Sequence, residues 1–184
     1  MNYILIIIVV LVVICLMYYF ITYNNFVKLN NKVKESFATM DVYLKKRWDL
    51  IPNIVETVKG YAKHEKDTLK EIVAVRNGDY ENLSPEQKIK TNIDINRGVS
   101  KLMALAESYP DLKANENFLS LQAELSGIED EIAQSRKYYN AVVREFNDKV
   151  EMIPSNIVAK TLGYTSKEMF IAEENEKKSV KVKL

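Results

Sequence analysis

The chain has 184 residues, with 26 basic and 25 acidic side chains, five glycines and four prolines. This length allows one domain plus an anchor, and so few turn-forming residues disfavour an all-β sandwich or barrel. The balanced charge disfavours a dedicated nucleic-acid binder, which should carry a basic excess. A single cysteine, Cys15, excludes an intramolecular disulfide.

The N-terminal segment has the composition of a membrane span. Residues 3–23 are nearly all aliphatic or aromatic, about the 20 residues that a helix needs to cross a bilayer. Tyr18, Tyr19 and Tyr23 cluster at the C-terminal end, where an aromatic belt belongs. A cleaved signal peptide would carry a basic region and small residues at a cleavage site, and neither is present. We therefore predict a single-pass membrane protein with a transmembrane anchor in residues 1–25.

Lysines near the span predict its orientation. Lys28, Lys32 and Lys34 follow the apolar segment, whereas no basic side chain precedes it. Because positive residues favour the cytoplasmic side, we expect the N-terminus outside the cell membrane and the bulk of the protein in the cytoplasm.

Residues 26–76 show a helical apolar periodicity with steps of three or four. Its positions are Phe26, Leu29, Val33, Phe37, Met40, Leu44, Trp48, Ile51, Val55, Val58, Ala62, Glu65, Leu69, Ile72 and Arg76. Pro52 falls inside this pattern and would remove a hydrogen bond to the Trp48 carbonyl. Either the helix continues to about residue 76 with a kink near Pro52, or the chain reverses there with Asp49 capping a new helix. We favour the kinked helix, since no glycine or polar loop separates its halves.

Further helices follow a break at Asn77-Gly78. Ser84, Pro85 and Gln87 predict a capping box that starts helix two, which runs to about residue 108. Its apolar line is Ile89, Ile93, Val99, Leu102 or Met103, and Ala106. Helix three should run from about Asn115 to Pro154, on a ladder of Phe118, Leu121, Leu125, Ile128, Ile132, Ser135, Tyr139, Val142, Phe146, Val150 and Ile153.

Two short helices, at residues 155–162 and 166–172, complete the expected fold, with Gly163 ending the first. The fold class is therefore all-α: an N-terminal transmembrane helix that continues into an antiparallel, four-helix-bundle-like domain over residues 26–172. A charged, flexible tail is expected at residues 173–184.

The residues needed for familiar catalytic or metal sites are missing. His64 is the only histidine, and the HExxH zinc motif would need a second one at position 68, which is Thr68. The glycines are isolated, so there is no phosphate-binding loop, and no Glu-x-x-His pair suggests a di-iron bundle. We predict no catalytic residue, metal site or cofactor.

Charged side chains on the apolar ladders suggest ion pairs between helices. Buried charges must pair, because an unpaired one is costly. We hypothesise that Glu65 and Glu129 pair with Arg47, Arg76 or Arg136. In helical bundles such polar positions usually fix register and partner choice.

Four sequence blocks resemble one protein family. Residues 41–65 read DVYLKKRWDLIPNIVETVKGYAKHE, residues 109–125 read YPDLKANENFLSLQAEL, residues 128–147 read IEDEIAQSRKYYNAVVREFN, and IPSNIVA starts at residue 153. In this order after an N-terminal span, they resemble the LemA family of bacterial proteins. The resemblance implies a membrane-anchored helical bundle and transfers no catalytic residue. Together with the charged ladder positions, its motifs give ten structural or interface candidates: Arg47, Asp49, Pro52, Asn53, Glu65, Arg76, Glu129, Arg136, Asn140 and Asn147.

These observations favour a non-enzymatic function. The leading hypothesis is a scaffold or adapter that works through protein–protein contacts, with a membrane protease or an envelope-stress system. The alternative is a self-assembling oligomer that shapes or stabilises the membrane. The expected partners are the bilayer, through residues 3–23, and either an unidentified protein or a second copy of this chain; no nucleic acid is expected.

Overall fold

The computed structural model describes residues 2–62, 64–74 and 79–170. Over these residues the chain forms six α-helices and one 3-10 turn, Tyr80–Asn82, without a β-strand. The helices are α1 Asn2–Tyr61, α2 Lys66–Ala74, α3 Pro85–Glu107, α4 Pro110–Lys113, α5 Glu116–Glu151 and α6 Ser155–Thr161. The all-α prediction is confirmed.

Helix α1 continues through Pro52, so the alternative of a chain reversal there is wrong. The predicted end of this helix near residue 76 is also wrong. The helix stops at Tyr61, and a turn whose Glu65 amide donates to the Ala62 carbonyl leads into α2. The turn uses about as many residues as one helical turn, so the apolar spacing keeps its phase across the break. Periodicity alone therefore did not reveal it.

Sequence signals located several helix ends well. Ser84 and Gln87 form the predicted capping box at the start of α3. The Asn115 side chain accepts a hydrogen bond from the Phe118 amide at the start of α5. Gly163 has a φ of 70°, a left-handed conformation that suits glycine, two residues after the end of α6. The predicted break at Asn77-Gly78 and the tail at 173–184 lie outside the described residues.

The chain divides into two compact units. We call the first the anchor unit; it contains the chain up to Ser36 together with Tyr138–Met169. We call the second the bundle unit; it contains Phe37–Lys137 together with Phe170.

The anchor unit carries the apolar N-terminal half of α1. Among the described residues, α1 is the one helix long and apolar enough to cross a membrane, and its most apolar stretch is not buried in the protein. Beyond this stretch, the rings of Phe26, Phe146 and Tyr164 form an aromatic cluster with centroid separations of 5.5–6.1 Å. The cluster joins α1, α5 and the segment after α6 into one core.

The segment after α6 corrects a second prediction. A helix was expected over residues 166–172, but residues 164–170 are not helical, and residues 171 and 172 lie outside the described part. The Asn147 side-chain amide donates to the Lys167 carbonyl over 2.9 Å and accepts from the Lys167 amide over 2.8 Å. The Tyr139 hydroxyl donates to the Glu168 carbonyl. These side chains of α5 bind backbone groups that a helix would have used internally.

In the bundle unit, the buried line of α3 differs from the predicted one. Ile89, Ile93 and Val99 are only half-buried. Leu102 and Ala106 are buried as predicted, and the other buried positions of α3 are Lys88, Asn92, Ile95 and Gly98. Two groups of this line bind side chains of α1: the Lys88 ammonium group donates to Asp41, and the Asn92 backbone carbonyl accepts from Arg47. The contact with Asp41 thus accounts for the buried Lys88, whereas apolar spacing alone placed Ile89, Ile93 and Val99 each one residue after the buried position.

The ladder of α5 is buried as predicted from Phe118 to Phe146, apart from half-buried Leu121. Its last predicted position is wrong, because Ile153 lies beyond the helix end and is 81% exposed.

Candidate functional site

Arg47 is the centre of the bundle unit. Its side chain is fully buried, with a relative exposure of 0%. One guanidinium nitrogen donates to the Asn96 side-chain oxygen at 2.5 Å and to Glu129 at 2.7 Å, and the other donates to the Asn92 carbonyl at 3.0 Å. One side chain of α1 therefore links α3 and α5 through charge-assisted hydrogen bonds.

The sequence left three arginines as possible partners of Glu129, and in the structure Glu129 pairs with Arg47. The Glu129 side chain is 36% exposed, so the ion pair reaches from the core to the surface. Glu65 is half-buried in the turn before α2. Arg76 lies outside the described residues, so a pairing with Glu65 stays a prediction.

A second buried polar cluster was missed by the sequence analysis. The Asp41 carboxylate accepts hydrogen bonds from the Tyr80 hydroxyl and from the Lys88 ammonium group, each at 2.7 Å. The Lys88 ammonium also lies 4.6 Å from the centre of the Tyr80 ring, which packs against Trp48. Tyr80 lies in a short 3-10 turn rather than on a periodic helix, and so no sequence pattern identified it.

We expect Tyr80 to make stability depend on alkaline pH. Burial, followed by the hydrogen bond to Asp41, raises the pKa of the Tyr80 phenol above its ordinary value of 10.0. The folded state therefore favours the neutral phenol, and this contribution is fully present below pH 10 and lost as the pH rises above it. Tyr80→Phe should cost about 1 kcal/mol near neutral pH, and the difference from the wild type should shrink above about pH 10.

Thermal unfolding of both full-length proteins across this pH range measures the difference. Tyr138→Phe, at an exposed position, is the matched control. A gap between wild type and Tyr80→Phe that stays constant above pH 10 would contradict this account.

A surface groove of about 700 Å³ separates α1 from α5 in the bundle unit. Its walls are Tyr43, Lys46, Asp49, Leu50 and Asn53 from α1 and Glu124, Gly127, Ile128 and Glu131 from α5. Leu50 and Ile128 are buried and form an apolar floor. The groove thus contains the predicted interface residues Asp49 and Asn53.

The groove has an acidic excess. Lys46 is its one basic wall residue, against Asp49, Glu124 and Glu131. Asp49 binds Lys45 one turn back along α1. The negative charge of Glu131, together with a hydrogen bond to it, raises the pKa of the Tyr43 phenol. The groove therefore combines an apolar floor with a rim that attracts positive charge.

The other predicted residues are distributed over both units. Pro52 lies half-buried inside α1. Arg136 stacks its guanidinium 5.5 Å from the centre of the Phe170 ring. In the anchor unit, Asn140 is half-buried on α5 and Asn147 holds the Lys167 backbone. The nine candidates within the described residues therefore do not converge on one site.

The histidine and the potential metal ligands lie apart from one another in the described part of the chain. His64 is exposed in the turn after α1. Within the described part of the chain, no three His, Cys, Asp or Glu side chains lie where they could hold a metal ion together. The groove, with its apolar floor and acidic rim, is the candidate functional surface of the bundle unit.

Known proteins share most of this chain. Residues 36–184 match the LemA family. Protein LemA of Metamycoplasma hominis is 30% identical over 161 residues, which cover 85% of this chain and 72% of the relative. Magnetosome protein MamQ 1 of Paramagnetospirillum magneticum is 25% identical, and Magnetosome protein MamQ of Magnetospirillum gryphiswaldense is 22% identical. Each of these two matches covers 80% of this chain and 64% of the relative, so the chain spans less than two thirds of their length.

The family match begins within α1, after the apolar segment, and extends over the rest of the chain. Together with the apolar N-terminal helix, these similarities identify a membrane-associated helical protein. The resemblance of the sequence blocks is confirmed by the family match: the chain belongs to the LemA family.

Proposed function

We propose that this protein is a membrane-anchored, non-enzymatic adapter whose α1–α5 groove binds a helical segment of a partner protein. The observation that carries the proposal is the groove itself, with its buried apolar floor of Leu50 and Ile128 and its acidic rim. Protein interfaces commonly combine an apolar centre with a polar rim. Grooves between helices commonly accept an amphipathic helix.

Charge indicates the kind of partner. With Lys46 facing three carboxylates, the rim favours a helix that carries lysine or arginine beside an apolar stripe. Such attraction speeds association and weakens as the salt concentration rises. We expect the partner to be a component of a membrane protease or of an envelope-stress system. The lysines at positions 28, 32 and 34 favour a cytoplasmic groove, and hence a partner with a cytoplasmic segment.

Gly127 allows a sharp test of the groove. A Cβ atom added at this position meets no atom within 4 Å, and Gly127 forms part of the groove wall, so we expect a larger side chain to extend into the groove. We expect Gly127→Leu to leave the fold intact and to raise the free energy of unfolding by about 0.5–1 kcal/mol, because leucine is the better helix former. Capture of the partner should fall about tenfold, because the leucine occupies the partner's place.

The measurement is photo-crosslinking in native membranes, with the photoreactive group at exposed Asn53 on the groove rim. Gly60→Leu is the matched control, since a Cβ at Gly60 also meets no atom within 4 Å and Gly60 is not part of the groove. A single foreign protein crosslinked in wild type and in Gly60→Leu, and lost in Gly127→Leu, supports the adapter. Equal capture by both variants would exclude the groove as the binding surface.

The same membranes test the orientation. A cysteine introduced at Asn53 should resist a membrane-impermeant thiol reagent in intact cells and react after the cells are opened. Labelling in intact cells would place the groove outside the cytoplasm and overturn that part of the proposal.

Self-assembly is the second candidate function. The MamQ relatives are named for a cellular structure, the magnetosome, and not for a reaction. An oligomer that shapes or stabilises a membrane would fit such relatives. In the crosslinking experiment it would give a ladder of copies of this chain in place of a foreign protein.

A further inference from the structure

Three apolar side chains are exposed where α5 gives way to α6. Met152 and Ile153 lie in the turn between the two helices, and Ile157 lies in the first turns of α6. Their relative exposures are 62%, 81% and 63%. In water, three large apolar side chains this close together in the chain would each lose the benefit of burial.

The position of this turn follows from contacts inside the anchor unit. Phe146 packs on Phe26, with ring centroids 6.1 Å apart. Further along the chain, the Thr161 hydroxyl oxygen lies 3.3 Å from the Tyr19 hydroxyl oxygen. The chain beyond Phe146 therefore runs back towards the apolar half of α1.

Helix geometry gives the approximate position of the α5–α6 turn along the axis of α1. The five residues from Phe146 to Glu151 advance about 7.5 Å along α5, and the seven residues from Phe26 back to Tyr19 cover about 10 Å of α1. The turn thus reaches the level of Tyr19 to Tyr23. These tyrosines end the apolar stretch, where aromatic residues mark the boundary between hydrocarbon and headgroups.

We propose that Met152, Ile153 and Ile157 insert into the lipid bilayer beside the transmembrane helix. The protein would then touch the membrane at two places: a spanning helix and a monotopic contact made by the α5–α6 turn. The occupant of this exposed surface is lipid, because the turn lies beside the end of the exposed apolar stretch of α1, where that stretch meets the headgroups.

The charges around the turn indicate that apolar contact drives the insertion. Lys149 and Lys160 are balanced by Asp148 and Glu151. A surface that bound lipid headgroups by charge would need a basic excess. Burial of apolar side chains at the boundary needs none, and it reaches about 5–10 Å below the headgroups. The contact should therefore form on zwitterionic lipid.

The experiment uses the full chain with Cys15 replaced by serine, in nanodiscs of zwitterionic phosphatidylcholine. Ile153→Cys carries an environment-sensitive fluorophore, and Tyr138→Cys, an exposed position on α5 in the same unit, carries the same fluorophore as the control. Along α5 and the turn, Tyr138 precedes Ile153 by fifteen residues, about 20 Å of helix. Some of the lipid bears a quenching doxyl group near the top of its acyl chain.

We expect a blue-shifted emission at position 153 and about twofold or greater quenching by the doxyl lipid relative to position 138, because only position 153 reaches the acyl chains. Equal quenching at the two positions would overturn the proposal. A blue shift at position 153 without quenching would also overturn it, since it would show that protein covers the turn. Circular dichroism of both labelled proteins confirms that each retains its helices.

Discussion

Replacing Arg47 with alanine is expected to lower the free energy of unfolding by about 3–5 kcal/mol. The substitution leaves the Asn96 side-chain oxygen, the Asn92 carbonyl and the Glu129 carboxylate without their shared donor. It also opens a cavity at a fully buried position. Chemical unfolding of the full chain in detergent micelles, followed by the helical circular-dichroism signal, measures the loss.

Arg97→Ala is the matched control for Arg47→Ala. Arg97 lies on the surface of α3, 62% exposed, and pairs with Asp94 three residues earlier. Its removal should cost less than about 1 kcal/mol, as for most exposed ion pairs. Equal losses for the two arginines would contradict the central role of Arg47.

A double variant separates packing from charge at this centre. Arg47→Met combined with Glu129→Leu removes both charges and keeps much of the buried volume, and it should recover the part of the stability that Arg47→Ala loses through the cavity and the unpaired carboxylate. The Asn96 side-chain oxygen and the Asn92 carbonyl still lack the arginine donor, so the recovery of the double variant should be incomplete. If its helices then pair in more than one register, the ion pair serves to specify the arrangement rather than to add stability.

Phe146→Ala is expected to produce a loss of similar size in the anchor unit, about 3–5 kcal/mol. Phe146 is fully buried, and its ring contacts those of Phe26 and Tyr164. The cavity would therefore weaken the packing of the segment after α6 together with the core. Hydrogen exchange measures this effect through the Lys167 amide, which donates to Asn147.

For Phe146→Ala we expect faster exchange at Lys167 together with lower global stability. The control is Arg144→Ala, at an exposed position of α5 in the same unit, which should change the stability by about 0.5 kcal/mol or less. Unchanged exchange at Lys167 in Phe146→Ala would show that the segment is held without the aromatic cluster.

The sequence was sufficient to predict features that depend on local chemistry. The apolar helix, the capping box at Ser84 and the glycine at position 163 each follow from a few neighbouring residues. The buried positions of α5 could also be predicted, because helical spacing relates residues that are close in sequence.

Features that depend on contacts between residues far apart in the chain could not be predicted from the sequence. Three arginines were candidates for the ion pair, and only packing of α1 against α5 brings Arg47 to Glu129, 82 residues away. Lys88 looks like a surface residue until Asp41 is placed opposite it, and the hydrogen bond from Arg47 to the Asn92 backbone carbonyl leaves no signal in the identity of residue 92. The same reason explains the groove: Asp49 and Asn53 were candidates, but its acidic character comes from Glu124 and Glu131 on another helix.

The contact between Asn147 and Lys167 has a consequence for sequence variation. Both hydrogen bonds of the Asn147 amide go to the peptide backbone of residue 167, as a neighbouring β-strand would bind it. Position 167 can therefore change identity and keep both bonds, except to proline, which lacks the N–H. Position 147 has no such freedom, because aspartate, which differs by a single group, would accept from the amide but repel the carbonyl. Among related proteins we therefore expect asparagine to be retained at position 147 while the residue at position 167 varies.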